Sequence, residues 1–166
     1  MYQELFGQMI RQLGQLDAWL TKAAAYATEK KIDPATILGY RLAADQLPLV
    51  VQVGIACDTA KLGASRLTGK DAPSHADNQT KFEELHARIQ SVQEYLRGFS
   101  AGDFAESATR KISTPRWEGK TMVGADYFLQ HTVPNFFFHV THVYAILRHI
   151  GVPLGKSDYL GTLTMH

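Results

Sequence analysis

The chain has 166 residues, 45% of them hydrophobic and 20% charged, with 17 Lys and Arg set against 16 Asp and Glu. That length fits a single domain over residues 1–166 that buries a core without staples, and the composition argues against a disordered chain. The charges are interspersed with no basic block, which argues against nucleic acid as a partner, and the lone cysteine, Cys57, leaves no intrachain disulfide and points to a reducing compartment.

The N-terminal stretch MYQELFGQMIRQ carries charges and no long apolar run, so it does not read as a signal peptide. No stretch of about 20 apolar residues is present, so no membrane span is expected and the cytoplasm is the expected location. Over residues 2–29, Leu5, Phe6, Met9, Leu13, Leu16, Leu20 and Ala23 recur at helical spacing, which predicts a first long helix. Lys30 and Lys31 suit its C-terminus, and Asp33-Pro34 reads as a boundary. Residues 34–46 form a connection with room for a short helical turn. A second long helix is expected over residues 47–67, with Pro48 in its first turn and Leu49, Val53, Ala56, Ala60 and Leu67 on its apolar face. Its small residues (Gly54, Ala56, Ala60, Gly63 and Ala64) permit close helix approach, and Gly69 terminates it.

The polar run GKDAPSHADNQ follows as a loop. The third helix has the clearest pattern: Thr80 and Glu83 stand at capping-box spacing. Phe82, Leu85, Ile89, Val92, Leu96 and Phe99 then repeat as a heptad, and Gly98 fits its end. Residues 100–123 do not read as a long helix. RKISTP and KTMVG are short β-prone runs around Trp117, Glu118 and Gly119, a hairpin or extended excursion. The fourth long helix is expected over residues 125–150. Pro134 should kink it or divide its first turns, and Gly151 and Pro153 end it. The closing LGKSDYLGTLTMH reads as an ordered extension. Four long helices and one β-prone excursion make an all-α four-helix bundle, with long connections before the second and fourth helices leaving room for a topology other than up-down.

The candidate chemistry lies on the fourth helix. His131, Asn135, His139 and His142 are spaced by four, four and three residues, so they share one stripe, interrupted at Pro134. Two imidazoles at such spacing can converge on a divalent metal, with further ligands drawn from another helix. The bland reading is a set of core or boundary histidines. Gln52 lies among apolar residues of the second helix and needs a buried partner, for which the histidine stripe is a candidate; Asp45 shares its face only if that helix begins early. Asp58 pairs with Lys61 or Arg66. Cys57 has no adjacent base, and a Cys–His nucleophile requires the fourth helix to approach it. Phe136, Phe137 and Phe138 cover more than one helix face. Part of that run must leave the seam, which supports a homodimer contact or a pocket wall. No GxGxxG, P-loop, CxxC, HExxH or GxSxG pattern occurs.

The segments RLAADQLPL, QVGIACDTAK, PNFFFHVTHVYAILRHIGVPLGK and DYLG resemble the DUF1993 family, grouped with the DinB/YfiT-like metalloenzymes, over nearly the whole chain. The resemblance implies a DinB-like four-helix bundle, commonly a homodimer. DinB members carry one metal-binding histidine on the second helix and an HxxxH pair on the fourth. The pair falls on Asn135 and His139, and the helix-2 histidine falls near Gln52. A Gln/Asn/His set is a poor match for Zn²⁺ or Ni²⁺, so His142 or His131 would have to compensate.

The resulting expectation is a small-molecule or metal site between the second and fourth helices. Gln52, Asn135 and His142 would bind ligand, His139 would act as ligand or general base, and His139 and His142 would hold any divalent metal, zinc or nickel. A metal-dependent hydrolase or thiol transferase of the DinB-like type is one alternative. A non-enzymatic homodimeric binding or stress-related protein is the other.

Overall fold

The computed structural model describes residues 1–165. Helix α1 (Tyr2–Lys30) buries Phe6, Met9, Leu13, Leu16, Leu20 and Ala23 of the expected stripe, together with Trp19 and Ala27, while Leu5 is half-buried. It ends one residue beyond expectation because Lys31 takes a left-handed conformation (φ 57°) that lets Ile32 N–H donate to the Ala27 carbonyl at 2.9 Å. Asp33 then caps α2 (Pro34–Leu38), its carboxylate accepting from Ala35 N–H at 2.9 Å. Helix α3 (Leu49–Thr68) starts two residues later than expected, since Pro48 stands in front of it in an extended conformation. Gly69 ends it at φ 79°. The late start leaves Asp45 in the exposed connection and off the helix face that carries Gln52.

Helix α4 (Phe82–Arg97) also starts late. The capping carboxylate is Glu84 rather than Glu83: it accepts from the N–H groups of Thr80 and Lys81 at 2.6 and 3.1 Å. Burial of Phe82 sets the helix phase, and that phase turns Glu84 back over the first turn. The excursion is a small antiparallel hairpin, β1 (Lys111–Ile112) with β2 (Met122–Val123), in register Lys111↔Val123 and Ile112↔Met122.

The last long helical run has three parts: α5 (Gly124–Asp126), a π-helical segment (Tyr127–Thr132) and α6 (Val133–His149). Pro134 has no N–H to give the preceding turn and its ring crowds that turn's carbonyl. A wider turn relieves both problems without a sharp kink. The run starts at a close approach that requires glycine, because a Cβ on Gly124 would lie 1.8 Å from the Ser107 carbonyl oxygen. Helix α7 (Lys156–Leu160) folds the tail onto α1: Trp19 donates to the Asp158 carbonyl at 3.1 Å and Lys22 pairs with the Asp158 carboxylate at 2.6 Å.

Side-chain pairs set the helix directions. Asp17 meets His86 and Gln93 reaches the Ile10 carbonyl, so α1 and α4 are antiparallel. Trp19 packs on Tyr144 and Tyr26 donates to the Ile150 carbonyl, so α1 and α6 are parallel. Asp58 meets Arg88 and Ser65 lies beside Tyr95, so α3 and α4 are parallel. The topology is therefore up-down-down-up, and the crossover falls in residues 69–81, not in the two connections expected to carry it. Helix α3 has 20 residues, about 30 Å at 1.5 Å each. Residues 69–81 reach about 40 Å when extended, enough to return the chain to the far end of the bundle. This strap runs back along α4, with Lys70, His75 and Asp77 beside Tyr95, Ser91 and Arg88 in turn.

Candidate functional site

Helices α3 and α6 run antiparallel along a seam that carries four contacts in register. Thr132 packs at Gly63, where a Cβ would come within 2.5 Å of its methyl. One turn on, Asn135 donates to the Thr59 hydroxyl at 2.8 Å. His139 Nδ1 then lies 2.6 Å from Gln52 Oε1. At the open end His142 Nε2 lies 3.3 Å from Gln46 Nε2. The expected residues Gln52, Asn135, His139 and His142 thus share one seam between α3 and α6. They form a ladder of separate pairs rather than a ring around one point.

The hydrogen bonds determine which ring nitrogen donates in both histidines. Leu47's carbonyl can only accept, so the nitrogen of the Gln52 amide faces it, at 3.2 Å. Gln52 Oε1 is left facing His139, whose Nδ1 must therefore carry the proton. His139 is 7% exposed. Burial, and secondarily the neighbouring His142, pushes its pKa down to about 4. At neutral pH it is a neutral imidazole with its lone pair on Nε2, an atom with no hydrogen bond among the described residues. His142 Nδ1 donates to the Phe138 carbonyl at 2.7 Å, so its Nε2 accepts from Gln46. The other end of that amide, Gln46 Oε1, is buried without a partner. Two acceptors are therefore left without a hydrogen bond among the described residues: His139 Nε2 on α6 and Gln46 Oε1 in the connection before α3. Exposed Val51 lies on α3, Phe138 on α6 and Leu47 in the connection before α3.

The donor set does not fit zinc or nickel. Each imidazole has its Nδ1 committed to an oxygen, and His142 Nε2 is turned to Gln46. One open imidazole nitrogen and neutral amide oxygens remain, a weak set for either metal. Among the described residues no group of three or more His, Cys, Asp or Glu side chains is placed to hold a metal ion.

His131 leaves the stripe on which its spacing placed it. The π-helical segment adds a residue per turn and rotates it away from the seam, so its ring stacks on Tyr127 at 5.3 Å with Trp117 edge-on at 5.9 Å. Cys57 is fully buried and its thiol is pushed up to about 12, mainly by desolvation, which leaves no thiolate for nucleophilic chemistry. The phenylalanine run divides as its spacing requires, with Phe136 in the core and Phe138 54% exposed. The tail does not cap the seam; Tyr159 joins Trp19 and Tyr144 on the α1 flank of α6.

A second polar cluster, on the α4 side of α3, was not expected. Arg88, with 2% of its side chain exposed, meets Asp58 at 2.7 Å and Asp77 at 2.8 Å. Lys61 pairs with Asp58 at 3.0 Å, as its spacing suggested, and donates to His75 Nδ1 at 2.8 Å. His75 Nε2–H then donates to Ser91 at 3.1 Å. That direction gives His75 no lone pair for the serine proton, so Ser91 and His75 are not a nucleophile–base pair. The signal was present in the sequence: Arg88 stands between Leu85 and Val92, on the core-facing stripe of its helix.

An up-down-down-up bundle with its polar seam between the second and fourth long helices defines the class, a DinB-like helical bundle. A crystal structure of a DinB family member protein from Shewanella denitrificans matches with a TM-score of 0.96 and 49% sequence identity, over 100% of this chain and 95% of that chain. The chain belongs to the DUF1993 family, a domain of unknown function whose model matches residues 1–160. No curated protein matches it.

Proposed function

We propose that this protein binds a small molecule at the α3/α6 seam, with His139 Nε2 as the acceptor for a hydroxyl or N–H group of the ligand. The observation that carries the reading is the fixed tautomer of His139. Leu47 orients Gln52, Gln52 holds the proton on Nδ1, and the Nε2 lone pair of a residue 7% exposed is left without a partner among the described residues.

With a pKa of about 4, His139 is a weak base at neutral pH. The reading therefore gives it a binding role rather than the general-base role, whose best pKa lies near the working pH. Exposed Phe138, on α6 beside this seam, also marks our proposed homodimer contact. Among the described residues no helix is long and apolar enough to cross a membrane.

The test is a ligand-observed NMR screen of small polyols, amines and amides against wild type and His139→Phe, with folding checked by circular dichroism. Donor-bearing hits that disappear in the variant support the reading. Hits that bind both proteins equally refute it. Light scattering of Phe138→Glu tests the dimer, with a shift from two chains to one as the expected result.

A further inference from the structure

We propose that His75 is a pH-sensitive latch, independent of the α3/α6 seam: its neutral imidazole ties the 69–81 strap to α3 and α4, and gaining a proton releases residues 71–75. Among the described residues, His75 makes the only hydrogen bonds from that stretch to the helices, one to Lys61 on α3 and one to Ser91 on α4. The strap is anchored separately on either side. Lys70 pairs with Asp103 at 2.5 Å and its carbonyl accepts from Tyr95 at 3.4 Å. On the far side Arg88 holds Asp77 at 2.8 Å and Gln79 at 3.0 Å. Losing the His75 bonds therefore frees a bounded loop and leaves the bundle closed.

Both ring nitrogens of His75 are committed. An ammonium only donates, so Nδ1 is the acceptor for Lys61 Nζ at 2.8 Å. The single ring proton sits on Nε2 and goes to the Ser91 hydroxyl at 3.1 Å. A second proton has only Nδ1 to bind. It removes the acceptor and sets two cations donor to donor. Lys61, with 5% of its side chain exposed, has no path to swing into water, and it already meets Asp58 at 3.0 Å. The charges facing the ring are Lys61 and Asp58 from α3, Arg88 from α4 and Asp77 from the strap itself. These two cations and two carboxylates already meet in direct pairs, so no surplus negative charge waits for an imidazolium. Burial, then Lys61 and Arg88, hold the pKa of His75 below the ordinary 6.5 while the strap is closed. In the open strap the ring stands in water and takes up the proton first. Opening therefore gains as pH falls below 6.5, by up to about tenfold for each pH unit. The open loop uncovers Lys61 and Ser91.

The test is NMR of the full-length protein from about pH 8 to about pH 5, the range in which an imidazole changes charge. Relaxation dispersion at the backbone amides of residues 71–75 reads the open population, and the His75 ring signals read its titration. The open population should rise as His75 takes up its proton, while the amides of α4 keep their relaxation. His75→Gln offers an acceptor and a donor that do not titrate, and the pH response should vanish. Lys61→Met removes the opposing cation and keeps the buried stem. In that variant His75 should titrate at higher pH than in wild type, and the response should weaken. A wild-type loop equally ordered across the range would overturn the proposal. So would a response that persists in His75→Gln, or a His75 that titrates in Lys61→Met as it does in wild type.

Discussion

Replacing Gln52 with leucine tests the central geometry. The change removes the bond from His139 Nδ1–H at 2.6 Å and the bond to the Leu47 carbonyl at 3.2 Å. Leu47 is 43% exposed, so its carbonyl can turn to water at little cost. His139 is 7% exposed, and its stranded N–H carries the penalty, about 1–3 kcal/mol for a buried donor left unpaired. Leucine fits a site where Gln52 is only 2% exposed, and its burial offsets part of that. A net loss of about 1–2 kcal/mol remains, a fall in Tm of about 2–8 °C for a chain of this size. Gln52→Glu is the paired control. Its carboxylate should hold a charged imidazole and raise the pKa of His139 well above about 4, with little loss of stability at pH 6. Thermal melts give the first quantity, and NMR titration of the His139 ring gives the second. A Gln52→Leu protein within about 0.5 kcal/mol of wild type, or a wild-type His139 titrating at its ordinary value of 6.5, would refute the reasoning.

Stability should fall with acid in a defined window. His139 has a folded pKa of about 4, below the ordinary 6.5, so the unfolded chain takes up the proton first; the contribution is complete above pH 6.5 and is lost as pH drops toward 4. At 1.36 kcal/mol per pH unit the ceiling is about 3 kcal/mol, reduced to about 1–2 kcal/mol by water at the crevice mouth; urea melts between pH 7 and pH 4 in wild type and His139→Phe measure it. His75 and His131 are also held below 6.5, chiefly by burial, so part of the acid loss should persist in the variant. Arg88→Met should cost about 2–4 kcal/mol by removing the bonds to Asp58 and to Asp77 and Gln79 of the strap, and hydrogen exchange should locate the loosening in residues 71–79. Gly124→Ala should cost about 1–3 kcal/mol or more by overpacking, since the added methyl meets the Ser107 carbonyl, as a chemical melt would show. Cys57 should stay unreactive toward a thiol reagent until the protein unfolds, because its thiol is buried and held near 12.

Local patterns in the chain were legible where local physics decides the outcome. The stripe from Phe6 to Ala27 and the hairpin at β1 and β2 both follow from periodicity and turn chemistry. Helix phase was less legible. Glu83 and Glu84 offer the same carboxylate one residue apart, and only the burial of Phe82 selects between them. Pro134 announced a break but not its form, since a kink and a widened turn both answer the missing N–H. The choice mattered for function: it removed His131 from the seam and left His139 and His142 on it. The crossover in residues 69–81 was hidden because a loop's path is set by what it packs against. Here that is Arg88, Lys61 and Ser91 on two parallel helices.

The same division applies to the site. Gln52 and His139 were legible as partners because each is a polar residue on an apolar face and both needed an answer. Gln46 was not, because it lies in a connection whose position depends on the return to α3. Helix α3 explains why two polar sites occur in one small bundle. It is buried on two flanks, with Gln52 and Thr59 turned to α6 and Asp58 and Lys61 turned to α4. Gly54 and Gly63 let Arg88 and Thr132 approach its backbone on those flanks, which side chains at those positions would obstruct. Close packing without bulk leaves the polar groups to one another. Where the pairing is incomplete, at Gln46 Oε1 in the connection before α3 and at Arg88 Nε on α4, the unpaired atoms are buried. The two flanks therefore differ in kind: neutral amide and imidazole pairs face α6, and ion pairs face α4.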